Sequence, residues 1–154
     1  YAALSYVWGP STPEAYIEVN TQPVRVTRNL EVALRHLRNA PDNNENKLRF
    51  WIDAVCIDQS STRERSTEVA RMGRIYSSAR RVVCWLGPAF AGVDVALGTV
   101  RDLERVAGSE VEFLSPWNSS AQKRVVTGEA IRGLYEMLRR PYWSRLWIVQ
   151  EVAL

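Results

Sequence analysis

The sequence predicts an α/β fold in which helices flank a parallel sheet, with a small hairpin near the N-terminus and a helical insertion in the second half. Three observations carry this reading. The short runs from Ala2 to Trp8, Phe50 to Ile57 and Arg81 to Leu86 are apolar on both faces, as strands covered by helices on both sides are. A segment with apolar residues at helical period separates the second run from the third, so helix and strand alternate as in a parallel sheet. Finally, 154 residues with 46% hydrophobic and 24% charged side chains suffice to bury one core without disulfides or metals.

The first strand, Ala2 to Trp8, stops at Gly9-Pro10, a pair that breaks any continuing element. Ile17-Glu18-Val19 and Val24-Arg25-Val26 alternate apolar with polar around Asn20-Thr21-Gln22-Pro23, which predicts a half-exposed hairpin. Leu30, Ala33, Leu34 and Leu37 recur at helical spacing behind the cap candidates Thr27 and Asn29, and the polar loop Pro41-Asp42-Asn43-Asn44 ends that helix. Phe50 to Ile57, broken only by Asp53, reads as the central strand, and Asp58-Gln59-Ser60-Ser61 reads as its exit loop. Ser61 and Glu64 form a capping box for a helix whose stripe is Val69, Met72, Tyr76 and Ala79. Arg81 to Leu86 then closes at Gly87-Pro88. A right-handed crossover through this helix makes Trp51 to Ile57 and Arg81 to Leu86 adjacent parallel strands.

From Ala89 to Arg140 the pattern weakens to two helical stripes, Val93, Leu97, Val100, Leu103 and Ile131, Leu134, Tyr135, Leu138, on either side of a loop from Gly108 to Ser120. Residues 89–140 are therefore read as the insertion. Arg140-Pro141 ends the second stripe, and Ser144 caps a last helix carrying Trp147, Ile148, Glu151 and Val152. The whole, 1–154, reads as a single domain of a longer chain, because Tyr1 opens inside an apolar run with no initiator Met.

Composition narrows the function. Cys56 and Cys84 lie in strand-like runs and read as buried reduced thiols, which points to an intracellular setting. With His36 as the one histidine, no zinc site can be built. No apolar stretch approaches the roughly 20 residues of a membrane span. The net charge of +3 comes from 18 Arg and 2 Lys against 17 acids. Those arginines interleave with acids in Arg63-Glu64-Arg65, Glu68 to Arg71 and Arg101 to Arg105, the pattern of a salt-bridged face rather than a nucleic-acid stripe. Neither nucleic acid nor membrane is an expected partner. Phosphate loops, glycine fingerprints and hydrolase elbows are all missing from the sequence. A Cys56–His36 nucleophile pair is disfavoured, since one residue belongs to a strand core and the other to a helix flanked by Arg35 and Arg38.

The carboxylates are more suggestive. Ligands of open parallel sheets bind beyond the carboxyl ends of the strands. Asp58 stands where the strand from Phe50 would end, and Ser5 to Gly9 and Leu86-Gly87 occupy the same edge, so three strand ends converge there. Each acid also has a plain structural role open to it: Asp58 as a loop cap, Asp53 as the partner of an arginine because an unpaired buried carboxylate is costly, and Glu151 as a surface acid or the partner of Arg145. Trp8, Trp51, Trp85, Trp143 and Trp147 fall beside strand ends or in the last helix, where they either fill the core or offer a flat stacking surface.

Five ordered blocks then carry a resemblance. They are Tyr1 to Gly9, Trp51 to Gln59, Glu64-Arg65 with Val69, Met72, Ile75-Tyr76 and Ala79, Val83 to Gly87, and Arg140 to Trp147 with Gln150-Glu151. Together they resemble the heterokaryon incompatibility (HET) domain of filamentous fungi. The resemblance implies a cytoplasmic fungal protein whose domain triggers cell death when genetically different hyphae fuse, with other domains of the same chain as partners. A second similarity is to Toll/interleukin-1 receptor (TIR) domains, which implies a TIR-like, flavodoxin-like sheet. Ser5-Tyr6 is similar to the end of their first strand, and Ser144 to Glu151 is similar to their Ser-x-x-Trp-Cys-x-x-Glu helix.

Enzymatic TIR members cleave nicotinamide from NAD with that glutamate. The resemblance thus makes Glu151 the catalytic candidate, with Ser5, Tyr6, Trp8 and Gly9 lining the pocket, Trp147 stacking, and Asp58 holding a ribose hydroxyl or a water. NAD or a related nucleotide enters as substrate, with no cofactor and no metal implied. The pattern's cysteine is Ile148 here and its glutamate position is Gln150, so positions 150 and 151 compete for the cleft. Two readings stay open: an NAD glycohydrolase whose carboxylate stabilises an oxocarbenium-like transition state, and a non-enzymatic, self-assembling death adaptor. Self-association is implied by both. Placed on a helix surface facing a cleft, Glu151 is expected to tolerate Glu151→Gln with a stability change below about 1 kcal/mol.

Overall fold

The computed structural model describes residues 1–12, 14–40, 48–108, 127–146, 148 and 151. Strand β1 (Ala2–Tyr6) lies in the middle of a three-stranded parallel sheet, with β4 (Phe50–Trp51) on one side and β5 (Arg81–Trp85) on the other. Ala2 and Ala3 pair with Phe50 and Trp51, while Ala2 through Tyr6 pair in register with Arg81 through Trp85. All five β1 residues are buried. The expected parallel strands therefore share one sheet, but they are not adjacent, because β1 runs between them. The reason is charge and exposure: β1 is an uncharged run that tolerates neighbours on both edges and cover on both faces. By contrast, β5 begins with exposed Arg81, exposes Cys84 as well, and is only half-buried at its other positions.

The run from Phe50 to Ile57 is likewise not one central strand. Only Phe50–Trp51 pairs, Ile52 is the N-cap, and Asp53–Cys56 forms the single helical turn α2. At the start of that turn the Asp53 carboxylate accepts the Ala54 N–H at 2.7 Å. A strand interior would have left the acid without such a donor. The hairpin consists of β2 (Glu14–Val19) and β3 (Gln22–Thr27), joined through Asn20 and Thr21. Both turn residues have positive φ, 50° and 68°, as a two-residue connection matched to strand twist requires. Thr27 caps α1 (Arg28–Asn39). Asn29, the other cap candidate, instead donates to the Val7 carbonyl and accepts from the Trp85 indole.

Alternation along β1 sends its side chains to two layers. Leu4 and Tyr6 pack with Ala15, Val26, Leu30 and Ile52, so the hairpin and α1 cover one face. Ala3 packs with Met72 and Tyr76 of α3 (Thr62–Ser77) on the other. Ser61 caps α3 by accepting the Glu64 N–H, and the Glu64 carboxylate reaches back to the Asp58 N–H. Two of the three mixed-charge runs form the anticipated ion pairs, Arg71 with Glu68 and Arg105 with Asp102. The cysteines correct the burial expected of them. Both are exposed. Cys84 lies on an edge strand, and Cys56 ends the helical turn that replaced the strand core.

The chain forms two units, one of residues 1–88 with 141–154 and the other of residues 89–140. The second contains α4 (Val93–Gly108) and α5 (Gly128–Leu138), the latter capped by Thr127. Apart from Gly108, which ends α4, the expected loop from Gly108 to Ser120 lies outside the described residues, as does Pro41 to Asn44. The two helices meet where Gly133 faces Gly92 and Ala96. A Cβ at Gly133 would stand 3.0 Å from the Gly92 carbonyl oxygen and 3.2 Å from the Ala96 Cβ. Gly133→Ala is therefore expected to destabilise by about 1–3 kcal/mol despite its better helix propensity. Gly98→Ala, in a helix with nothing within 4 Å, should stabilise by about 0.5–1 kcal/mol. Urea denaturation of both variants checks the opposite signs.

Candidate functional site

The site begins with Ser5, the fourth residue of β1, which shares the Ala3 side of the sheet and is fully buried. Its Oγ donates to Glu151 Oε2. With its proton spent there, Ser5 accepts from the Tyr142 hydroxyl at 2.6 Å and from Arg145 Nη1 at 3.2 Å. Tyr142 belongs to the 3-10 turn Pro141–Ser144. Arg145 binds the Glu151 carboxylate with both arms, Nη2 to Oε1 at 2.5 Å and Nη1 to Oε2 at 2.8 Å. The two side chains are 15% and 1% exposed. Glu151 is thus a buried carboxylate satisfied by charge-assisted hydrogen bonds, not an acid on a helix surface.

A second carboxylate stands nearby. Asp53 Oδ2 accepts the Trp8 indole N–H at 2.7 Å, and the Tyr6 hydroxyl also bonds to it. Asp53 pairs with no cation among the described residues, contrary to the arginine partner that its place in the sequence suggested. Burial pushes its carboxyl above the ordinary 3.8, and the Glu151 charge adds to the rise; hydrogen bonds from Trp8, Ala54 and Tyr6 oppose it. The Tyr6 hydroxyl is raised in turn, by burial first and then by Asp53.

Both carboxylates line a cleft of about 530 Å³, together with Trp8, Gly9, Gln59, Arg65 and Arg145 over apolar Val69 and Met72. Gly9, at φ +73°, makes the turn by which the chain leaves β1 along the cleft wall, a conformation that a side chain would strain. Trp8 keeps 41% of its surface exposed while Asp53 fixes its ring edge, so the indole offers a held, open face. Among the described residues, no group of three His, Cys, Asp or Glu side chains could hold a metal ion, and no helix is long and apolar enough to cross a membrane.

The sequence comparisons agree with this frame. The model of the heterokaryon incompatibility protein (HET) family matches residues 1–151. The chain belongs to this family. It is 31% identical over 185 positions to heterokaryon incompatibility protein 6, OR allele, of Neurospora crassa, an alignment that takes in 100% of this chain and 27% of that protein. The HET chain thus spans about a quarter of the length of this relative. No solved structure matches it.

Of the expected site residues, this HET domain brings Trp8, Gly9 and Glu151 to one cleft. Ser5 and Tyr6 do not line it. They are buried behind its wall, each holding one of the carboxylates. Asp58 is elsewhere, because the helical turn α2 carries the chain past the strand end before Asp58 is reached. Asp58 is exposed and closes its own loop by accepting from Ser60 N at 2.9 Å and Ser60 Oγ at 2.6 Å, bonds that hold its carboxyl below the usual range. Leu86 and Gly87 are not among the lining residues. Trp147 and Gln150 lie outside the described residues. Ser144 sits in the 3-10 turn, where its hydroxyl donates to the Pro141 carbonyl at 2.8 Å; the backbone it was expected to cap, from Trp147 on, lies largely outside the described residues. Asp53 is the residue that sequence reasoning placed in a strand. Its signal was an acid directly after the aromatic pair Phe50-Trp51 and Ile52.

Trp51 and Trp85 prove to be structural. Trp51 meets Tyr76 edge-on at 5.6 Å, and Trp85 binds Asn29 and lies 4.9 Å from the His36 ring.

The Asp53 environment also makes a pH prediction. A carboxyl whose folded pKa is raised contributes stability that is fully present below the ordinary 3.8 and is lost as pH rises through the folded value. The stability of the wild-type HET domain relative to Asp53→Asn should therefore fall with rising pH across that window. Urea unfolding at a series of pH values measures the difference, and a difference that rises with pH would contradict the burial of this group.

Proposed function

We propose that this HET domain acts in fungal incompatibility, the process named in its Neurospora relative, and that it does so by hydrolysing the nicotinamide–ribose bond of NAD. The observation that carries the chemistry is the pair of carboxylates, Asp53 and Glu151, lining one cleft beside the exposed Trp8 indole. As the C1′–N bond breaks, its electron pair passes to the pyridinium nitrogen and nicotinamide leaves neutral. The ribosyl cation that forms needs nearby negative charge. Glu151 is rigidly placed, but Arg145 offsets its charge. Asp53 has no such partner among the described residues and presents the stronger field. Water then bonds to C1′ and gives its proton to Asp53, a carboxylate that burial makes more basic than an ordinary Asp, and ADP-ribose is released.

The similarity of Ser5-Tyr6 and of Ser144 to Glu151 to TIR domains supports this reading, as does a cleft volume within the range of small-molecule sites. We place the activity in the cytoplasm and expect it to depend on self-association and on the other domains of the same protein. The test is nicotinamide release from NAD by concentrated, purified protein, with and without enforced dimerisation. Release should rise per chain on dimerisation. Equal turnover per chain across a wide dilution series, with the protein monomeric throughout, would remove the assembly requirement.

One observation favours a second reading, the non-enzymatic adaptor. The Arg145–Glu151 pair is complete in itself and fastens the chain after Tyr142 to β1 without need of a substrate. Absence of nicotinamide release from concentrated, dimerised protein that still kills cells would select that reading.

A further inference from the structure

The cleft contains a cation that neither carboxylate uses. Arg145 is committed to Glu151. Arg65, in the first turns of α3, is exposed in the same cleft wall. The two acids nearest to it along the helix are engaged elsewhere: Glu64 accepts the Asp58 N–H at 2.9 Å, and Glu68 holds Arg71 at 2.7 Å. Among the described residues, the Arg65 guanidinium has no side-chain partner.

This layout selects for charge within the ligand. Asp53, the cleft carboxylate that no cation offsets among the described residues, attracts a cationic group and repels phosphate, whereas Arg65 attracts phosphate and repels a cation. A ligand that satisfies both is positive at one end and anionic at the other, with a flat ring for the held indole of Trp8. We propose that Arg65 is the phosphate-reading residue of the cleft and that the substrate class is a phosphorylated pyridinium nucleotide rather than the bare nucleoside. The proposal deepens the hydrolase reading and rests on it for the identity of the ring.

Nicotinamide mononucleotide and nicotinamide riboside differ by one phosphate and isolate this contact. Binding of each to the full chain by calorimetry, together with nicotinamide release from each, is compared for wild type, Arg65→Gln and Arg65→Lys. Wild type should favour the mononucleotide by roughly tenfold to a hundredfold, the range of a charge-assisted phosphate contact. Arg65→Gln should bring the ratio near one through a weaker Kd or KM for the mononucleotide, and Arg65→Lys should restore part of it. Since Arg65 has no side-chain hydrogen bond or ion pair to lose among the described residues, an unchanged urea midpoint shows that Arg65→Gln is folded. A preference retained in folded Arg65→Gln overturns the proposal, as does binding of neither ligand. Cleavage of both ligands without preference overturns it while leaving the hydrolase reading intact. Binding with an Arg65-dependent preference but no cleavage supports the phosphate contact and rejects the hydrolase reading.

Discussion

Asp53→Asn is expected to lower nicotinamide release from NAD by about two orders of magnitude or more, the usual loss when preorganised charge is removed from a developing ion. The substitution preserves shape and leaves one side-chain oxygen to accept from Trp8, Tyr6 or Ala54. The abandoned donors should cost about 1–2 kcal/mol of stability, too little to unfold an ordinary domain. Rate and fold can therefore be read separately, with initial rates at saturating NAD beside a urea curve. A folded Asp53→Asn protein with undiminished turnover would remove Asp53 from the chemistry. This carboxylate is a cleaner probe than Glu151 because no arginine is left unpaired when it is altered.

Glu151→Gln is expected to destabilise the protein by about 3–5 kcal/mol, the range for breaking a buried ion pair from one side. The small change expected of a helix-surface acid does not survive the observed geometry, in which Glu151 is 2% exposed and bound by Arg145 and Ser5. An amide at this position presents an N–H₂ where Arg145 and Ser5 direct donors, and it leaves the guanidinium buried without a counter-charge. Replacing both partners relieves that conflict, so the Glu151→Gln, Arg145→Met double variant should be more stable than Glu151→Gln alone. Urea unfolding followed by tryptophan fluorescence measures the cycle. A single variant within about 0.5 kcal/mol of wild type would mean that the pair contributes nothing to folding.

Local features were legible in the sequence because they depend on neighbours along the chain. Of the run Ala2 to Trp8, Ala2 to Tyr6 is a strand core since it is apolar on both faces, Asn20 and Thr21 make the hairpin turn, and Thr27 and Ser61 cap helices through donors three residues on. The five motif blocks sufficed to place the chain in its family. Strand order was not legible. Alternation identifies a strand as buried on two faces, but which run sits between the others depends on docking edges far apart in sequence, and β1 took the place expected of Phe50 to Ile57. Nor could periodicity show that an acid in an apolar run would end a strand after two pairs and open a helical turn, which moved the cleft acid from Asp58 to Asp53. Glu151 and Arg145 were a visible pair six positions apart, but their burial was not. That required Ser5, 146 positions away, and Tyr142 to close the network, because a charged pair leaves water only when fixed donors replace its hydration, and only the assembled sheet supplies them.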